Sequence, residues 1–174
     1  IQVQSLISKT FANGPIYGLI NSASIFSNLT LENTTLTAWE THLSRNLTAP
    51  FLLCQAFAKR HPAGSTARII NILDWRALRP GTDHFPYTIS KSGLFAMTKS
   101  LAAALAPEIT VNGIAFGAIL PPSDGGDVSD VLNFVPADRW AEMDEVHKTI
   151  LFLLTGPEYI TGEVIHLDGG RHLI

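Results

Sequence analysis

Tyr87 and Lys91 stand four residues apart at the start of a long stretch of helical period, which places a phenol and an ammonium on one face, one turn apart. A phenol titrates at about 10 and is a poor acid–base catalyst at neutral pH, but a neighbouring ammonium favours the phenolate and draws that value down. Lys91 would then tune Tyr87 as a proton donor, although two solvated residues on a helix surface share the same spacing. Asp74 directly follows the apolar run Ile69-Ile70-Asn71-Ile72-Leu73. A carboxylate there could join the pair, and it could equally ion-pair with Arg76 or cap a turn. Asn46 enters by way of the backbone. Pro50, four residues later, has no N–H to give to the carbonyl of residue 46, so a helix through this segment kinks and leaves a carbonyl free to hold a water in a proton relay.

These groups need elements to position them. Residues 16–21, 68–73, 109–116 and 163–167 read as short strands, mostly apolar on successive residues, as in sheets covered on both faces. Between them, 36–60, 86–106 and 137–155 carry helical patterns long enough for crossovers to parallel neighbours. The alternation predicts an α/β fold with a doubly wound parallel sheet, Rossmann-like, whose ligand site lies at the carboxyl ends of the strands, just after Asn21, Leu73 and Phe116. A helical scrap at 5–12 leads into a first strand too apolar for an open sheet edge, so a further strand is expected beside it.

Composition narrows the possibilities. The 174 residues carry 12 Lys and Arg against 15 Asp and Glu, net −3, with 46% hydrophobic and 16% charged residues, which fits a single domain over 1–174. No basic cluster marks a nucleic-acid surface, and apolar stretches are broken by Gly and Pro, so neither nucleic acid nor membrane is expected as a partner. One cysteine, Cys54, supports no internal disulfide, and six unpaired histidines build no metal site. The acidic loop 124–130 lacks the glutamate and spacing of a calcium loop.

Six motifs follow in a fixed order: Asn21-Ser22-Ala23-Ser24 after a strand, Asn46-Leu47-Thr48-Ala49-Pro50-Phe51, Ile70-Asn71-Ile72, Tyr87-Thr88-Ile89-Ser90-Lys91, Val111-Asn112-Gly113-Ile114, and Ile160-Thr161-Gly162 with Leu167-Asp168-Gly169-Gly170. In this the chain resembles the short-chain dehydrogenase/reductase family from its fourth strand to its C-terminus. The resemblance implies that Tyr87 exchanges the substrate proton, that Lys91 lowers its pKa and holds a nicotinamide ribose, and that Asn46 completes a water relay. It implies NADPH as cofactor, with Asn21, Ser22, Ala23, Tyr87, Lys91, Gly117 and Ile119 in the cofactor site.

Asp74 stands where that family usually has serine. With Asn-Ser-Ala-Ser and the ending Leu167-Asp168-Gly169-Gly170-Arg171-His172-Leu173, this is similar to the pteridine and dihydromonapterin reductase branch. The similarity implies a pterin-like small-molecule substrate bound and protonated with help from Asp74. The family's Pro-Gly after the sixth strand is Phe116-Gly117 here, and no G-x-G-x-x-G phosphate loop occurs. The resemblance places that loop and three strands upstream of Ile1. The expected function is therefore NADPH-dependent reduction of a dihydropterin or another cyclic C=N or C=O group. The alternative is a truncated, non-catalytic remnant serving as a binding or dimerisation module. Helix 86–106 is apolar around much of its girth, which together with the family habit suggests a homo-oligomer, and the default location is cytoplasmic.

Overall fold

In the computed structural model, residues 2–121 and 130–174 are described; most of the acidic loop 124–130 lies outside them. The chain runs α1 (Gln2–Phe11), β1 (Gly18–Asn21), α2 (Leu36–Leu43), α3 (Ala49–Arg60), β2 (Ala67–Asp74), α4 (Phe85–Leu105), β3 (Ile109–Phe116), α5 (Met143–Thr155) and β4 (Val164–Leu167). The strands form one parallel sheet in the order β1-β2-β3-β4. This is the predicted α/β architecture.

The two central strands are buried along almost their whole length, as expected when both faces are covered. Alternation assigns the faces. Ile69 and Val111 pack with Cys54 and Phe57 of α3 and Ala102 of α4, whereas Ile70, Ile72 and Ile114 pack with Leu153 of α5. Each such buried side chain contributes on the order of 2 kcal/mol.

Register sets the site. Asp74 is level with Phe116, and Phe116 with Leu167, so three strands end in one row, while β1 stops at Asn21 opposite Asn71. Among the described residues no strand pairs with the outer edge of β1, where Ile20 remains 39% exposed.

Two helices differ from the sequence reading. The stretch 36–60 is not one α-helix: Ser44–Thr48 forms a π turn in which the Ala49 N–H donates to the Ser44 carbonyl. The widened turn absorbs the mismatch that Pro50, in the first turn of α3, imposes on regular i→i+4 bonding. The helix expected from 137 begins at Met143, because Glu142 and Glu145 build a capping box and Asp138 adopts a positive φ of 51° that no helix accommodates.

Candidate active site

The end of β2 meets the start of α4. Tyr87 Oη donates to Asp74 Oδ2 at 3.0 Å, and Asp74 Oδ1 accepts from the Arg76 N–H at 2.8 Å, with the Arg76 guanidinium 3.9 Å away. Asp74 thus does what both sequence readings allowed: one oxygen caps a turn beside arginine and the other engages the phenol. Lys91, one helical turn beyond Tyr87, is 2% exposed and donates from Nζ to the Ile72 carbonyl at 2.8 Å. Its ammonium lies 5.8 Å from the centre of the Tyr87 ring.

Electrostatics correct one expectation. Tyr87 is pushed up, not down: burial removes water from the phenolate, Asp74's charge and hydrogen bond add to this, and Arg76 opposes weakly. Lys91 itself is lowered to about 8 by burial, against the pull of Asp74. Asp74 is also raised, with desolvation outweighing its bonds to Arg76 and Tyr87 and the charges of Arg76 and Lys91. Three buried ionisable groups therefore compete for one shell of solvation, and the phenol holds its proton.

Asn46 is fully buried, and its side chain makes four hydrogen bonds. Oδ1 accepts from the Ile25 N–H at 2.9 Å and from Ser24 Oγ at 3.2 Å, while Nδ2 donates to the Ile25 carbonyl and to Ser90 Oγ, each at 3.0 Å. Ser90 Oγ in turn donates to the Tyr87 carbonyl at 2.6 Å. The amide pins the segment after β1 against the first turn of α4.

That segment carries a residue the sequence reading missed. Phe26 meets Tyr87 edge-on at 4.7 Å between ring centres and stacks on His84 at 3.9 Å. It is 55% exposed, and the Arg76 guanidinium lies 5.7 Å from its ring centre. Its sequence signal is weak: one aromatic in a loop, a few residues past a strand end.

A family model described as enoyl-(acyl carrier protein) reductase matches residues 2–172. The chain belongs to the short-chain dehydrogenase/reductase family. Among its relatives, a 3-oxoacyl-[acyl-carrier-protein] reductase of Synechocystis is 33% identical over 174 residues, covering 97% of this chain and 70% of that protein. The Aquifex aeolicus FabG reductase is 34% identical, covering 87% of this chain and 64% of its own length. Among solved structures, FolM alternative dihydrofolate reductase 1 of Brucella canis, complexed with NADP, superposes with a TM-score of 0.90 at 34% identity, covering 99% of this chain and 69% of that one.

For a short-chain reductase, the donor set suits a dinucleotide's ribose. An ammonium has three N–H donors and Ile72 takes one of Lys91's, so two remain for a vicinal diol beside Tyr87 Oη. The other expected cofactor residues divide. Ser22 and Ala23 stand exposed past the end of β1, and Ile119 is half-buried past β3. Asn21 instead turns into the core, where Nδ2 donates to Asn71 Oδ1 at 2.8 Å and Cys54 Sγ at 3.3 Å. Gly117 has its N–H committed to the Leu167 carbonyl at 3.0 Å. There is a packing reason for glycine here, because a Cβ would come within 2.6 Å of Asp168 Cα. Among the described residues no cluster of metal-ligating side chains occurs, and no helix is long and apolar enough to cross a membrane.

Proposed function

We propose that the protein is an NADPH-dependent reductase of a dihydropterin-like ring or a related cyclic C=N or C=O group. The observation that carries this reading is the 3.0 Å bond between Tyr87 Oη and Asp74 Oδ2 at the carboxyl end of β2. The dinucleotide, when bound, supplies the hydride. Tyr87, kept protonated by burial and by Asp74, gives up the proton. Asp74, as a carboxylate, accepts from a ring N–H or amino group; a proton it takes up from solvent, favoured by its raised pKa, passes to the phenolate left after Tyr87 has donated. Lys91 orients the ribose, and the exposed Phe26 ring offers apolar contact to the substrate.

The 34% identity to a FolM alternative dihydrofolate reductase supports this choice of ring. Reduction of a 3-oxoacyl thioester is the second reading, favoured by the 33% identity to the Synechocystis reductase over nearly the whole chain. The reading also carries a cytoplasmic setting and a homo-oligomer; Ile89, 38% exposed on α4, supports pairing through that helix.

NADPH oxidation measured with a dihydropterin and with a 3-oxoacyl thioester separates the two substrates. The expected result is turnover of the pterin, reduced about 100-fold or more by Tyr87→Phe. Turnover of the thioester alone moves the assignment to the second reading, and unchanged turnover in Tyr87→Phe removes the proton donor.

A further inference from the structure

The turn after Asp74 opens onto a cavity of about 390 Å³ that is lined by Arg76, Arg79 and Arg171, with Trp75, Asp83 and Ile174 completing much of its wall. The Arg76 and Arg171 guanidinium carbons lie 4.7 and 4.6 Å from the centre of the Trp75 ring, so one indole gathers two cations. Among the described residues, carboxylates pair directly with only one of the three arginines. Arg76 bonds Asp83 at 2.8 Å and approaches Asp74 at 3.9 Å, but among the described residues neither Arg79 nor Arg171 has an ion pair. The Nε atoms of Arg76 and Arg171 are buried and lack a hydrogen-bond partner. Burial and then the charge of Arg76 hold Arg171 below the usual guanidinium range, against the pull of Asp74, Asp83 and Asp168.

Three guanidiniums line this one cavity, and two of them have no ion pair among the described residues, so N–H donors remain for an acceptor placed in it. The guanidinium fork fits carboxylate and phosphate oxygens, and Trp75 supplies an apolar wall for whatever chain carries them. Arg76 touches the cavity and also Asp74, so the acceptor would sit one residue away from the proposed reducing centre.

We propose that this arginine cavity binds the anionic end of the substrate, a carboxylate or phosphate held outside the reacting ring or carbonyl. The proposal rests on the reading of Tyr87 and Asp74 as the reducing centre for its link to substrate, but not for the anion site itself.

Steady-state kinetics of the intact protein and of an Arg79→Gln/Arg171→Gln variant test it. Two dihydropterins that differ only in a glutamate tail form one arm; a 3-oxoacyl-CoA and its phosphate-free N-acetylcysteamine analogue form the other. The expected result is a KM at least 10-fold higher for the anionic member of one arm, with kcat, the KM of its neutral counterpart and the KM for NADPH within twofold of their original values. The arm that responds identifies carboxylate or phosphate. Equal effects on both members, no effect, or a change confined to NADPH overturns the proposal. If neither arm turns over, the reductase reading fails and the anion site is still decided by titrating N-acylglutamate and inorganic phosphate while following tryptophan fluorescence. Saturable quenching that the double variant loses supports the site, and its absence in the original protein overturns it.

Discussion

The hydroxyl of Tyr87 donates to the carboxylate of Asp74 across 3.0 Å, and the two effects are opposite: the carboxylate makes the phenol harder to ionise, whereas the phenol's hydrogen bond favours the charged carboxylate against its burial. The pair comes from two elements that meet only in the fold, the last residue of β2 and the first turn of α4. Burial and Asp74 together keep the phenol protonated, the direction a reductase requires.

Removing the charge at Asp74 should therefore separate stability from activity. A carboxyl raised in the folded state contributes stability that is full below its unfolded value and declines as pH rises through the folded one. At pH 8 the native protein bears that cost and Asp74→Asn does not. The variant should melt about 3 °C higher at pH 8, equivalent to roughly 1 kcal/mol, and the gain should vanish near pH 4. Its kcat should fall about 100-fold. A lower melting temperature at pH 8 would show that the bonds to Arg76 and Tyr87 outweigh desolvation.

Lys91 sets a limb on the alkaline side. Its ammonium loses the proton at about 8, whereas Tyr87 stays protonated well beyond. The kcat/KM for NADPH, which reports the free enzyme, should fall about tenfold per pH unit above about 8. Because this folded value lies below the ordinary one, Lys91's contribution to stability is full only above the unfolded pKa and is lost as pH falls through about 8. Lys91→Met should consequently leave melting at pH 7 unchanged or raised while abolishing the limb along with activity. A limb that persists in the variant assigns the titration elsewhere.

Asn46→Ala leaves the Ile25 N–H and carbonyl, Ser24 and Ser90 without the partner that now serves all four. We expect a loss of about 3 kcal/mol in denaturant unfolding, since buried groups stripped of bonds cost more than the bonds themselves are worth. Amide exchange at Ile25 should accelerate with it. A loss under 1 kcal/mol would mean that water replaces the side chain.

Gly117→Ala should destabilise by about 2 kcal/mol, because the new Cβ meets Asp168 backbone at 2.6 Å and neither strand end can give way. Chemical unfolding measures it directly. Unaltered stability, with a changed KM for NADPH, would instead assign the glycine to the dinucleotide.

The parts of this fold that were legible in the sequence are those written in one-dimensional patterns. β2 and β3 are apolar on successive residues because both faces are covered, and α4 keeps its period over 21 residues. Tyr87, Lys91 and Asp74 were nameable from spacing and resemblance, and the structure brings all three together. What pattern could not supply was environment. The direction of the Tyr87 shift depends on how completely α4 and β2 exclude water, and the side-chain contacts of Asn46 reach a loop and a helix distant in sequence. Phe26 and Arg171 gain meaning only from neighbours far away in sequence. The start of α5 was misplaced because Glu142 and Glu145 cap it more strongly than the preceding residues continue it.

The amide of Asn46 has an implication for redesign. Segments around positions 24–25, 46 and 90 are distant in the chain yet close one circuit of donors and acceptors. Grafting the Phe26 loop from a relative to alter substrate choice would therefore fail as a single-segment exchange: the transplant must bring compatible residues at 46 and 90, or the loop will arrive without its anchor.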